Sequence, residues 1–156
     1  MLVKIEVLTP KNQAEKSVQT LKMSLLGIRD AGKVKKQHVV NDHKFYWIME
    51  IKDINELKRL TKKCVMGDKM IKSFYKKLFK LIDVTNKLGG RLGKGMKWFI
   101  NRIKKQFRKK YGGDLSMLDD MLENAELQEG QLIIKDRKEI EELMKKELIK
   151  LSIISK

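Results

Sequence analysis

A chain of 156 residues with 42% hydrophobic and 36% charged residues is long enough to bury a core without staples and too rich in Leu, Ile, Val and Met to read as disordered. One cysteine excludes an internal disulfide framework and a cysteine-rich zinc site, and no run approaches the 18 apolar residues of a membrane-spanning helix. The formal charge of +16 is segregated: residues 1–51 carry +4, residues 52–112 carry +16 and residues 113–156 carry −4, a distribution that asks for a polyanionic partner.

The expected fold class is α+β, with a ferredoxin-like split βαβ core. Val3, Ile5 and Val7 alternate with Lys4 and Glu6, the period of a half-buried strand. This opening lacks a basic head followed by an apolar stretch, so no cleavable signal is expected and the cytoplasm is the expected compartment. Thr9 and Pro10 open a helix with Ala14, Val18, Leu21 and Leu25 on one stripe, ending at Gly27. "KVKKQHVV" and "HKFYWIMEI" then flank Asn41-Asp42, the expected hairpin turn. In that register Phe45, Trp47, Met49 and Ile51 share a face with Val34 and Val40, and Tyr46 lies on the other.

Asp53 and Glu56 form an acidic capping box for a helix expected to stop at Gly67, with Cys64 facing the core. A second helix from Asp68 sets Ile71, Phe74, Tyr75, Leu78 and Ile82 on one stripe and Lys69, Lys72, Lys76 and Lys80 on another. After a glycine-rich turn, Met96, Phe99, Ile100, Ile103 and Phe107 repeat the pattern with cations opposite. Two such helices predict an antiparallel hairpin with a basic face. "DLSMLDDMLENAELQE" (114–129) has six acids and no base and reads as an amphipathic helix able to act as an internal counterion. "QLIIKD" (131–136) is the expected last strand of the core sheet, followed by a terminal helix from Asp136 that turns Ile140, Leu143, Met144, Leu148 and Leu151 inward. The expected division is a β-α-β-β-α core (1–66), a basic hairpin (67–112), an acidic segment (113–130) and a returning strand and helix (131–156).

"GRLGKG" (90–95) is not a Walker loop: the glycines are too close, no Ser or Thr follows Lys94 and no buried strand precedes it. Cations repeated along a helical face neutralise successive phosphates without reading bases. Nucleic acid, DNA or RNA, is therefore the expected partner, through Lys69, Lys72, Lys76, Lys80, Arg91, Lys97, Arg102, Lys104, Lys105, Arg108, Lys109 and Lys110. Two alternatives use the same charges. One is a structural or assembly protein, of a virion or other large particle, docking on an acidic protein or on itself; the other is an amphipathic helix over 96–111 lying on an anionic membrane. A sheet-surface RNA reader needs a glycine-and-aromatic signature that "HKFYWIMEI" lacks, with Tyr46 its only stacking candidate. His38 and His43 share a predicted face but fall short of a metal-ligand set, and no nucleophile–base pattern stands out, so no catalytic residue, metal or cofactor is assigned and a non-enzymatic protein is expected.

Overall fold

The computed structural model describes residues 1–14, 28, 31–89, 96–111, 121–122, 125–128 and 131–155. It is a mixed α+β protein. The described elements are strands β1 (Leu2–Leu8), β2 (Lys33–Asn41) and β3 (Lys44–Glu50), helices α1 (Ile54–Gly89) and α2 (Met96–Tyr111), strands β4 (Glu126–Gln128) and β5 (Gln131–Ile133), helix α3 (Arg137–Leu143) and strand β6 (Ile149–Ser155). They divide into two compact units: Met1–Lys72 with Lys138–Lys156, and Ser73–Arg137.

In the first unit β1, β2, β3 and β6 form an antiparallel sheet of order β2-β3-β1-β6. Period-two alternation builds its core face: Val3, Ile5 and Val7 of β1 lie opposite Met49, Trp47 and Phe45 of β3 and Ile153, Leu151 and Ile149 of β6. Leu60, Cys64, Ala14 and Ile28 join this buried set. The Trp47 indole N–H donates to Gln37 Oε1 at 3.1 Å. Burial pushes the Cys64 thiol up to about 12, so it stays neutral.

The hairpin differs from expectation by one residue. Asn41 pairs with Lys44, so the turn is Asp42-His43, and Asn41 Oδ1 accepts the His43 backbone N–H at 3.0 Å. Register shifts around Lys35 and Val40 move Val39, rather than Val40, onto the core face; Val40 is exposed. Most of the helix expected after Pro10 lies outside the described residues, although Ala14 and Ile28 are fully buried.

The cap before α1 forms: Asp53 Oδ1 accepts the Glu56 N–H at 2.9 Å, and Glu56 reaches back to the Lys52 N–H at 2.6 Å. Gly67 does not end the helix. A mid-helix glycine costs only about 1 kcal/mol relative to alanine, while good helix formers on both sides continue the hydrogen-bond ladder through it.

The largest correction concerns the chain's last third. "QLIIKD" is not the last strand of the sheet: residues 131–133 pair with 126–128 in a separate two-stranded hairpin. The end of the acidic segment is therefore strand rather than helix, while 112–120 lie outside the described residues. The fourth sheet strand is β6, read from sequence as the end of a terminal helix. That helix is short, Arg137–Leu143, and Asp136 before it has φ 63°, a left-handed conformation unlike an N-cap. The apolar spacing at 140, 143, 144, 148 and 151 fits a helix, but Ile149, Leu151 and Ile153 also alternate, and the β-branched Ile149, Ile153 and Ile154 favour the strand.

Asp68 of α1 anchors this strand. Its Oδ2 accepts the backbone N–H groups of Leu148 at 2.7 Å and Ile149 at 3.3 Å, and its Oδ1 pairs with Lys72 at 2.8 Å. One carboxylate satisfies donors that would otherwise be orphaned where the strand begins.

In the second unit, Phe74, Tyr75, Leu78, Phe79 and Ile82 of α1 and Ile103 and Phe107 of α2 are buried, with Leu122, Leu132 and Ile134. Phe74 of α1 and Phe107 of α2 meet edge-on with centroids 5.0 Å apart. Asn86 receives the Leu132 N–H at 2.8 Å and donates to the Leu132 carbonyl at 3.0 Å, so its amide pairs with the backbone of β5 as a neighbouring strand would.

Candidate nucleic-acid interface

Helix α1 contains ten lysines and arginines and three acids, and α2 contains seven cations and no acid. A helix hides its apolar stripe and leaves everything else to solvent, so a charge census alone says little; the partners of the acids decide how much positive charge is uncompensated.

On the second-unit part of α1, Lys76, Lys80 and Lys87 are exposed and recur at i, i+4 and i+11, on the arc opposite Leu78 and Ile82. Lys80 is about 6 Å from Lys76 along the axis and about 10 Å from Lys87. Lys77 is exposed beside them. The one acid of this stretch, Asp83, is already neutralised: Arg137 grips it with both nitrogens at 2.7 and 2.8 Å, and the Arg137 guanidinium also lies 4.8 Å above the Phe79 ring. Hydrogen bonds from Arg137, helped by the charges of Arg137 and Lys87, hold the Asp83 carboxyl below the usual carboxylate value against the opposing effect of partial burial.

On α2, Arg102, Lys105 and Lys109 are exposed at i, i+3 and i+7, away from Ile103 and Phe107. Lys104 is half-buried and lies on a different arc. Lys97, Arg108 and Lys110 belong to α2 by their backbone, and Arg91 lies outside the described residues.

In the first unit, Lys69 is exposed, while Lys72 is half-buried and ion-paired to Asp68, which gives it a structural task. Lys58 and Lys62 share the exposed arc of Lys69 at i, i+4 and i+11. Sequence reading missed Lys58, Lys62 and Lys87 as members of these arcs. For Lys58 and Lys62 the signal was there, because the helical period runs unbroken through Gly67, but breaking the helix at the glycine hid it; Lys87 lies on the same expected helix as Lys80, seven residues on, and was passed over.

The open face of the sheet is differently composed. Lys4 Nζ lies 4.5 Å over the Tyr46 ring, His38 meets the same ring at 5.2 Å, and Glu6 joins Lys4 at 3.0 Å and Lys44 at 3.5 Å. Its charges are largely paired and its one stacking residue is already engaged. His43 sits in the turn, its Nδ1 2.8 Å from Asp42 Oδ1, while His38 is the cross-strand partner of Tyr46. Among the described residues no group of three or more His, Cys, Asp or Glu is arranged to hold a metal ion, and no helix is long and apolar enough to cross a membrane. Comparison with protein-family models, with curated proteins and with solved structures finds no match.

Proposed function

We propose that this protein binds nucleic-acid phosphates, with little sequence preference, through the exposed cationic arcs of α1 and α2. The observation that carries the reading is the set Lys76, Lys80 and Lys87, repeated along one exposed arc of α1; Asp83, the one acid in the second-unit part of that helix, is neutralised by Arg137. Duplex DNA presents roughly one negative charge per 1.7 Å of axis, so a helix with cations at such spacing meets several phosphates at once and releases their counterions. Arg102, Lys105 and Lys109 offer a second row on α2, and Lys58, Lys62 and Lys69 a third in the first unit. Lysine outweighs arginine, and lysine acts as a point charge on phosphate, whereas base recognition favours the bidentate fork of arginine.

The scaffold we propose for the first unit is the ferredoxin-like split βαβ arrangement. What supports it is the strand order β2-β3-β1-β6, with α1 leading from β3 toward the outer strand β6.

The test is fluorescence anisotropy of labelled duplex DNA, single-stranded DNA and RNA at several salt concentrations, with nuclease-treated protein. Replacing Lys76, Lys80 and Lys87 by Gln is expected to weaken binding to all sequences alike and to reduce the slope of log K against log salt by about 3 for a duplex. Absence of binding at low salt to any of the three probes overturns the reading and points to an acidic protein or an anionic membrane as the partner of the same charges.

A further inference from the structure

The two edges of the sheet are built differently. At one edge, β2 carries Lys33, Lys35 and Lys36 and breaks register twice, around Lys35 and around Val40. Lysines and bulges are the devices that keep an edge strand from pairing with another chain. At the other edge, β6 has Lys150 as its only charge and leaves Ile153, on the core-side face, and Ile154 each 50% exposed. It breaks register with β1 once, at Ile154, between the pairs Val3–Ile153 and Leu2–Ser155, so its regular stretch is 149–153 and carries one lysine and no bulge.

The direction of its backbone groups follows from its pairing with β1. The Leu8 N–H donates to the Leu148 carbonyl at 2.8 Å, so by alternation the residues of β6 that bond to β1 are 150 and 152, while Leu151 and Ile153 turn their N–H and C=O outward. In the described sheet order no strand lies beyond β6 to receive them. The outward pair at the start of the strand is already half used, because the Ile149 N–H is bonded to Asp68.

We infer that β6 pairs antiparallel with β6 of a second copy of this chain, about a two-fold axis at Ser152, to make one continuous eight-stranded sheet. Ser152 lies between Leu151 and Ile153, the two residues of the regular stretch whose outward groups have no partner among the described residues, so this register pairs one with the other and spares the Ile149 N–H held by Asp68. It sets Leu151 against Ile153 of the second copy, with four backbone hydrogen bonds from these residues in the two chains. Pairing of β6 with β2 of another molecule would be heterologous and would meet three lysines and two bulges; the isologous pairing closes on itself. The inference does not depend on nucleic acid, although a dimer doubles whatever cationic surface a monomer presents.

The experiment uses the whole chain, nuclease-treated and in high salt, so that bridging by nucleic acid is removed. Light scattering over a concentration series is expected to give a mass rising to twice 18.3 kDa, and the double variant Ile153→Lys/Ile154→Lys is expected to stay at the monomer mass with its circular dichroism unchanged. Register is read by cysteine placement. Ser152→Cys puts two Cα atoms at the narrow, non-hydrogen-bonded pair spacing of about 4.5 Å, within disulfide reach. Lys150→Cys puts them roughly 14 Å apart, four residues of strand, out of reach. Rapid cross-linking of the first variant and none of the second supports the two-fold at Ser152. A monomer mass at every concentration, a folded double variant that still dimerises, or equal cross-linking of the two cysteine variants overturns it. If the double variant fails to fold, the cysteine pair decides the question.

Discussion

At the scale of single residues, Asp68 carries the most structural consequence for its size. Its side chain is only 13% exposed, and it bonds two backbone N–H groups of the strand that closes the sheet while pairing with Lys72. Removing it leaves two donors and an ammonium without their acceptor, and the loss of a hydrogen bond to a charged group costs more than that of a neutral one. Asp68→Ala is expected to destabilise the first unit by about 2 kcal/mol. Urea unfolding at neutral pH in a Trp98→Phe background, so that fluorescence reports Trp47, checks this. A change within about 0.5 kcal/mol, ordinary for surface substitutions, would mean that β6 is held by its ladder to β1 alone. Lys72→Gln separates the two roles of the carboxylate, because it removes the ion pair and keeps the strand anchor; a much smaller loss is expected, in keeping with the small worth of a partly exposed pair.

At the scale of elements, the Asp83–Arg137 contact ties α1 to the residue that opens α3, and it has a defined pH dependence. The folded carboxyl is held below its ordinary value, so the contact contributes stability above the unfolded value of about 3.9 and loses it as pH falls through the folded value. Asp83→Asn is therefore expected to lower the urea midpoint of the second unit at pH 7 and to match the parent chain increasingly closely as pH drops below about 4. A midpoint difference independent of pH would assign the effect to packing around Phe79 instead. The effect is modest because Asp83 is about half exposed. These elements also show what a sequence can and cannot disclose. β1, the β2–β3 hairpin and the Asp53 cap were legible because alternation and capping are local. β5 was legible as a strand but not its place outside the main sheet, and β6 was not legible as a strand, since their placement involves distant groups, the Asn86 amide for one and the Asp68 carboxylate for the other. Of the candidate interface, the lysine periodicity of α1 and α2 was readable. The engagement of Lys72 and the neutralisation of Asp83 were not, because the second depends on a partner 54 residues away.

At the scale of the whole molecule, a net charge of +16 on 156 residues sets self-repulsion against the few ion pairs described, most of them at least partly exposed. Exposed pairs contribute little, so screening removes more repulsion than attraction. Raising sodium chloride from about 0.05 M to about 0.5 M shortens the Debye length severalfold and is expected to raise the thermal midpoint, by roughly 3 °C for each 1 kcal/mol of repulsion relieved. A midpoint that falls with salt would show that the ion pairs outweigh the repulsion. Inorganic polyphosphate added at constant ionic strength separates general screening from occupation of a site: a ligand that binds only the folded chain adds stability that grows with the logarithm of its concentration over its dissociation constant. The parent chain is expected to gain from polyphosphate beyond the salt effect, and the variant with Lys76, Lys80 and Lys87 replaced by Gln to lose most of that extra gain while keeping its response to chloride. Equal gains in both chains would mean that the polyanion is drawn by the net charge and not by the exposed arc of α1.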